Sequence, residues 1–158
     1  MSFESAKQFL ARHAPDLEVI ETERDTATVA LAAEVHGVSP GQIAKTLSLK
    51  VGERVVLVVA SGDARLDNRK MRECFGGKAT MLDAESVFAV TGHRVGGVCP
   101  FGLATPLPVY CDVSLRQYDI VMPAAGSFNS MVRISPERLA QLVDAQWADL
   151  SRPANIES

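Results

Sequence analysis

The stretch TGHRVGGVCPFG, residues 91–102, combines four glycines and one proline with several apolar side chains. Glycine has no Cβ, so its backbone N–H groups can come close to a ligand, but such segments are equally typical of tight turns. Its reactive side chains, His93 and Cys99, have no partner base that the sequence identifies. His93 is better explained as a loop histidine bonded to local backbone, and Cys99 as a half-buried small hydrophobic residue. The residues alone leave a structural corner and a ligand-binding loop as alternatives.

Lys45 is a second candidate, because it lies between a predicted short helix and an apolar strand. Ser39, Pro40 and Gln42 have the pattern of a capping box, which predicts that the helix starts there. Burying an ammonium group without a partner is costly. Lys45 therefore either reaches solvent, or bonds the last carbonyls of its own helix, or binds an anionic ligand.

Residues 65–78 concentrate positive charge in a chain whose net charge is −3. Such a cluster is typical of a solvated helix face, and it is also suited to the phosphates of a nucleic acid. Both interpretations stay open from the residues alone. The basic residues are Arg65, Arg69, Lys70, Arg72 and Lys78.

Standard catalytic motifs are absent from the sequence. It contains no GxSxG, no GxxxxGK[ST] and no HExxH, and its three histidines have no metal-ligand spacing. Serine hydrolysis and metal-dependent hydrolysis are thereby disfavoured. We expect no metal and no cofactor.

Composition favours one domain in a reducing compartment. A chain of 158 residues, 47% of them hydrophobic, is the size of a single domain, 1–158. The net acidic charge argues against a general nucleic-acid coat protein. Cys74, Cys99 and Cys111 form no CxxC and leave one cysteine unpaired in any disulfide scheme, so we expect cytoplasmic thiols. No run is long enough to suggest a signal peptide or a membrane anchor.

Helices and strands alternate irregularly along the chain. Apolar spacing and capping residues predict helices in residues 3–12, 26–36, 67–75, 83–91 and 135–147. Strands are predicted in residues 17–21, 107–113, 119–124 and 129–134, and residues 47–60 form a predicted hairpin whose second strand is buried on both faces. This order predicts an α+β fold, with surrounding helices and a mixed, largely antiparallel, barrel-like sheet.

Five blocks of the sequence resemble the bacterial prolyl-tRNA editing domain superfamily. IAKTLSLK, RLDNRKM, TGHRVGGVCPFG, LPVYCDVSL and PAAGSFNSMVRISPERLAQL occur in its order and at about its spacing, over residues 28–150. The superfamily includes free-standing YbaK-like deacylases and the editing domain inserted in bacterial prolyl-tRNA synthetases. The resemblance implies that fold and hydrolysis, in trans, of the ester joining a wrong amino acid to the 3′ end of tRNA. Aminoacyl-tRNA would be the substrate, and prolyl-tRNA synthetase is a candidate partner.

The resemblance also implies roles for particular residues. It places the family's lysine at Lys45, facing a phosphate or the ribose of the terminal adenosine, and its GxxxP loop at residues 96–100, whose N–H groups hold the aminoacyl carbonyl. It places a GxxN-like turn at residues 126–129. The implied catalytic residues are Lys45 and Gly96, with Arg65, Arg69 and Lys70 on the tRNA. The implied substrate-binding residues are Thr46, Gly97, Val98, Pro100, Phe101, Gly126 and Asn129, with Met131 as a further apolar wall.

Elementary chemistry agrees with this implied function. An aminoacyl ester is already activated, so positioning and oxyanion stabilisation can suffice without a nucleophilic side chain. YbaK-like members have Ser-Gly-Gly and then an aspartate where this chain has Ala124, Ala125 and Gly126. This departure disfavours cysteine-specific, thiol-assisted editing and favours tRNA-Pro carrying alanine or another small amino acid. The alternatives are a non-catalytic module that binds a tRNA end or a synthetase, and a small-molecule binder without an RNA partner.

Overall fold

The computed structural model describes residues 2–152, and the predicted domain 1–158 also includes residues 1 and 153–158, which lie outside that range. The described helices are α1 (Ser2–His13), α2 (Val29–His36), α3 (Asn68–Phe75), α4 (Ala84–Thr91) and α5 (Pro136–Leu142), with 3₁₀ segments at Pro40–Gln42 and Val113–Gln117. The strands are β1 (Ile20–Glu21), β2 (Ile43–Val51), β3 (Arg54–Ser61), β4 (Arg65–Leu66), β5 (Ala79–Met81), β6 (Val109–Asp112), β7 (Met122–Pro123), β8 (Ser130–Met131), β9 (Gln146–Ala148) and β10 (Ser151–Arg152). None of the helices within residues 2–152 is long and apolar enough to cross a lipid bilayer.

The main sheet is mixed, which confirms the predicted α+β class. Its order is β5-β2-β3-β6-β9, and β7 also pairs with β2. The pairs β2–β3 and β2–β5 are antiparallel, whereas β2–β7, β3–β6 and β6–β9 are parallel. Two small antiparallel pairs, β1–β8 and β4–β10, lie outside this sheet. The predicted closure into a barrel is not confirmed, because the strand path begins at β5 and ends at β9.

The central strand β3 is buried on both faces, as its continuous apolar run predicts. Leu57 and Val59 belong to a core cluster with Phe101 of the 92–102 loop. The alternate residues of β3 belong to a second cluster, with Met71 and Phe75 of α3. The sheet therefore separates two hydrophobic cores. The cavity described below opens beside β2, the strand next to β3.

Local signals at the helix ends agree with the structure. Asp67, Asp83 and Ser135 each accept a hydrogen bond from a backbone N–H of the first turn that they cap. Gly76 and Gly92 end α3 and α4 in the left-handed region, each with φ of 78°. Caps depend on neighbouring residues alone, which explains why they could be predicted.

Several predicted elements are shorter or begin elsewhere in the structure, and two differ in type. Ser39 makes no side-chain capping bond, and the short helix is a single 3₁₀ turn after which β2 begins at Ile43, so the predicted capping box is wrong. The last helix ends at Leu142, and residues 146–148 form β9. Asp144 explains the second difference, because its φ of 55° turns the chain out of the helix.

Candidate active site

One edge of β2 is unpaired in the middle of the strand. β7 covers this edge at Ile43 and Ala44, and β5 covers it from Leu49 onward. The Ser48 carbonyl accepts a hydrogen bond from the Leu82 N–H at 3.1 Å. Every second residue of a strand directs its backbone N–H and C=O to the same edge, so Thr46 directs its own to this edge as well. The N–H and C=O of Thr46 therefore point into the gap between β5 and β7.

A cavity of about 360 Å³ opens at this gap. It brings together Lys45, Thr46, Gly96 and Val98, four of the residues that the sequence singled out, and also the predicted wall residue Met131. The rest of its wall comes from residues 26–29, 43–44, 47–48 and 81–82, with Val87, Val95 and Ala124. The cavity thus joins the lysine strand and the glycine loop, which are about fifty residues apart in sequence.

Lys45 is held by backbone carbonyls. Its Nζ donates to the Ala64 carbonyl at 2.6 Å and to the Gly62 carbonyl at 3.3 Å. Both carbonyls follow β3. Lys45 therefore does not bond the carbonyls of the short helix that precedes it, which was one of the alternatives left open by the sequence. Burial lowers the Lys45 pKa, and the nearby carboxylates of Asp63 and Asp112 partly oppose that shift. An ammonium group has three donors, and two are used here, which leaves one without a partner among residues 2–152.

The loop after α4 presents bare backbone to the cavity. Gly96 has φ of 102°, a conformation that favours glycine, and an added Cβ would lie 3.1 Å from the Ala27 Cβ. The Gly97 N–H donates to the Arg94 carbonyl at 2.9 Å and is thereby occupied. The N–H groups of Gly96 and Val98 make no backbone hydrogen bond within residues 2–152. These two groups are the loop's available donors for an oxyanion.

Gly97, Gly126 and Asn129 support this loop from behind and do not line the cavity. A Cβ at Gly97 would lie 2.7 Å from Ser127 N and 2.8 Å from the Gly126 carbonyl carbon, so the two backbones touch. Asn129 donates from Nδ2 to the Thr22 carbonyl at 2.8 Å and accepts from Ser127 Oγ at 2.9 Å. The 126–129 turn therefore positions the loop.

Pro100 and Phe101 anchor the far end of the loop and also lie outside the cavity wall. Phe101 is fully buried in the core, with its ring centroid 6.0 Å from that of Phe9. Pro100 is buried and lines a separate depression beside Phe9 and Leu103. Their placement is that of packing residues that fix where the glycines lie.

His93 and Cys99 are buried side chains that face the core. The His93 Nε2–H donates to the Phe101 carbonyl at 2.7 Å, as expected for a loop histidine bonded to local backbone. Burial lowers the His93 pKa and raises the pKa of the Cys99 thiol to about 12, so the nucleophilic thiolate is disfavoured. Cys99 is fully buried, deeper than the half-burial expected from sequence.

The basic segment begins next to Lys45. Arg65 is exposed on β4, directly after the Ala64 carbonyl that Lys45 bonds. Arg69 is exposed and pairs with Glu73 at 3.4 Å. Lys70 donates to Asp149 at 2.9 Å and to the Ser151 carbonyl at 2.8 Å, so it ties α3 to the C-terminal strand. Arg65 and Arg69 are therefore exposed, Arg69 in a surface ion pair, whereas Lys70 has a structural role.

Several residues of the cavity wall were not predicted from the sequence, because they belong to no recognised motif. Ser48 lies two positions after Thr46, and that spacing along a strand could have identified it. Thr26 and Ala27 precede α2, and only the tertiary structure brings them beside Gly96. Within residues 2–152 no cluster of acidic, histidine or cysteine side chains could hold a metal ion.

Comparison with known proteins identifies the family. YwhH of Bacillus subtilis is 44% identical to this chain over 154 residues, 96% of this chain and 98% of YwhH. An Enterococcus faecalis protein named "Putative Cys-tRNA(Pro)/Cys-tRNA(Cys) deacylase EbsC" is 31% identical over 122 residues, 75% of this chain and 74% of that protein. A crystal structure of "a putative trans-editing enzyme for prolyl tRNA synthetase" matches with a TM-score of 0.89 at 35% identity, over 96% of this chain and 97% of that one. Residues 23–142 match the model of the aminoacyl-tRNA editing domain, and the chain belongs to that family.

Proposed function

We propose that this chain is an aminoacyl-tRNA deacylase that acts in trans. It removes a small amino acid wrongly attached to tRNA, and tRNA-Pro is the proposed tRNA. Three findings support this activity: family membership, the Enterococcus relative that is named as a deacylase, and the matching structure that is described as a trans-editing enzyme. The observation on which the proposal rests is the cavity that joins Lys45 to the N–H groups of Gly96 and Val98.

The proposed reaction is hydrolysis of an ester. A water molecule adds to the aminoacyl carbonyl carbon, and the oxyanion that forms accepts hydrogen bonds from Gly96 and Val98. The carbon–oxygen bond to the ribose then breaks, and the ribose oxygen takes up the proton that the water gives up. The products are the free amino acid and uncharged tRNA. Because the ester is activated, no nucleophilic side chain is needed, which fits the core positions of Cys99 and His93.

Lys45 has the role of an anion-binding residue in this proposal. Its remaining N–H faces a phosphate or the ribose of the terminal adenosine, while Ala64 and Gly62 fix the direction of the side chain. Gly97, Gly126 and Asn129 position the loop. Pro100 and Phe101 anchor it.

The cavity's apolar walls restrict the amino acid that can enter. Val98, Ala124 and Met131 provide small or flexible hydrocarbon surfaces. A wall of this kind discriminates one methylene group by only about 1 to 3 kcal/mol, so a further specificity element is required. Prolyl-tRNA synthetase is a proposed partner, and the free thiols support a cytoplasmic location.

The decisive experiment is deacylation across a panel of mischarged tRNAs. The purified protein is incubated with tRNA-Pro bearing alanine, serine, cysteine or proline, and release of the amino acid is followed over time. We expect release of a small non-cognate amino acid and protection of Pro-tRNA-Pro. Binding of tRNA without release of any amino acid would favour a non-catalytic binding module.

A further inference from the structure

Two hydroxyl groups in the cavity wall lack hydrogen-bond partners. Thr46 Oγ1 and Ser48 Oγ are buried and bonded to nothing. Among the described residues, only the His36 Nε2 shares this condition, and His36 does not line the cavity. A buried polar group without a partner costs about 1 to 3 kcal/mol, so two in one place require an explanation.

The two hydroxyls lie on one face of β2. Thr46 and Ser48 are two residues apart, which directs their side chains to the same side of the strand. Their neighbours across the β2–β3 ladder are Val59 and Leu57, which are fully buried hydrocarbon side chains. The sheet therefore supplies no partner for either hydroxyl.

The other polar side chains of the cavity wall are satisfied within the protein. Thr26 Oγ1 donates to the Phe128 carbonyl at 3.1 Å, and Thr28 Oγ1 accepts from the Leu31 N–H at 3.1 Å. Lys45 bonds two carbonyls, as described above. Of the wall residues that the structure describes, only Thr46 and Ser48 have a side-chain polar atom without a partner.

We propose that the amino acid removed by this enzyme carries a side-chain hydroxyl, and that Thr46 and Ser48 bind it; this rests on the deacylase function proposed above. Both oxygens are buried in the ligand-free structure, so this binding requires a change of χ1 rotamer that turns them toward the cavity. A serine hydroxyl donates one hydrogen bond and accepts others, so it can join both protein hydroxyls at once.

Alanine and cysteine fit these two groups less well. An alanine methyl leaves both hydroxyls unsatisfied, and a thiol is a weak donor and acceptor. A site that hydrogen-bonds a substrate hydroxyl rejects the analogue that lacks it more strongly than an apolar wall can. We expect kcat/KM for Ser-tRNA-Pro to exceed that for Ala-tRNA-Pro by about tenfold or more.

The test compares Thr46→Val and Ser48→Ala with the wild type on seryl, alanyl and cysteinyl tRNA-Pro. Thr80→Val is the matched control, because Thr80 is exposed on β5 and lies outside the cavity wall. Each cavity variant should lower the serine-to-alanine ratio of kcat/KM about tenfold, the equivalent of one hydrogen bond. Thr80→Val should leave the ratio unchanged.

Thermal unfolding of the ligand-free variants provides a second readout. Because the hydroxyls are unsatisfied, Thr46→Val and Ser48→Ala should keep or raise the midpoint of unfolding. A lowered midpoint together with an unchanged ratio would show a purely structural role and overturn the proposal. A wild type that prefers alanine would also overturn it. If the wild type hydrolyses no aminoacyl-tRNA at all, the deacylase function itself fails, and this proposal fails with it.

Discussion

At the scale of single residues, Lys45 is the side chain on which the proposed mechanism most depends. Lys45 is a residue of the cavity wall, and two backbone carbonyls fix its ammonium group, at 2.6 and 3.3 Å. A lysine held in this way loses little entropy on binding an anion, since its side chain is already ordered. Lys45 and the glycine loop are far apart in sequence, and they meet at the cavity beside β2.

Replacing Lys45 tests its role directly. We expect Lys45→Met to lower kcat/KM for deacylation about tenfold or more, because a hydrogen bond to a charged group contributes about 1.5 to 3 kcal/mol. Methionine retains the packing of the aliphatic stem. Lys50→Met is the matched control, because Lys50 lies on the same strand and is exposed. Full activity in a folded Lys45→Met protein would contradict the assignment.

The sequence identified Lys45 but could not identify what holds it. Its position in the IAKTLSLK block made it a candidate, and the buried apolar neighbours made a partner necessary. The carbonyls of Gly62 and Ala64 become partners only when β2 and β3 pair, and a backbone carbonyl has no signature in the sequence. For the same reason the sequence could not show that Arg65 is exposed whereas Lys70 bonds the Ser151 carbonyl.

At the scale of elements, the site is a loop braced by a turn. The 92–102 loop ends in the core at Phe101 and touches the 126–129 turn at Gly97. Caps such as Asp83 and Gly92 were predictable, because they depend on adjacent residues. The contact between loop and turn was not, because it joins segments about thirty residues apart.

Gly97→Ala tests whether the turn positions the loop. The new Cβ would lie 2.7 Å from Ser127 N, so the two backbones must separate. We expect a loss of about 1 to 3 kcal/mol in the free energy of unfolding, and a fall in kcat as the Gly96 and Val98 N–H groups move. Gly77→Ala is the control, since its Cβ would make only an ordinary contact of 3.4 Å with Val51. Equal effects of the two substitutions on kcat would argue against a positioning role.

At the scale of the whole molecule, buried histidines make stability depend on pH. Burial lowers the pKa of His93 and, together with the charge of Arg133, the pKa of His36, so the folded protein resists protonating them. The unfolded chain binds those protons near pH 6.5. Stability is therefore greatest above that pH and falls as the pH drops below it, by at most about 1.4 kcal/mol per pH unit for the buried His93 and by less for the partly exposed His36.

Denaturant unfolding between pH 7.5 and 5.5 measures this dependence. His93→Gln should reduce the slope, because glutamine can donate to the Phe101 carbonyl but does not titrate. Gln8→Ala, a change at an exposed residue of α1 that does not titrate, should leave the slope as it is. A slope that is the same in His93→Gln and the wild type would contradict the assigned cause.

The site also extends across the edge of the sheet. Lys45 pairs with Ala60, on the β2 face that packs toward α3, whereas Thr46 pairs with Val59, on the face of the 92–102 loop. The gap between β5 and β7 connects the two faces. For the deacylase proposed above, we expect a tRNA end in this gap to place its ester at Gly96, with its phosphates passing Lys45 toward Arg65 and Arg69.

The salt dependence of tRNA binding tests this path. Each phosphate contact in a single strand contributes about 0.7 to the slope of log K against log salt concentration. Arg65→Gln and Arg69→Gln should each reduce the slope by about 0.7, whereas Arg12→Gln, at an exposed arginine of α1, should not change it. Lys70→Gln should instead lower stability, because Lys70 bonds Asp149 and Ser151. The proposed path is contradicted if Arg65→Gln and Arg69→Gln leave the slope unchanged while Arg12→Gln reduces it. The tRNA would then approach across α1.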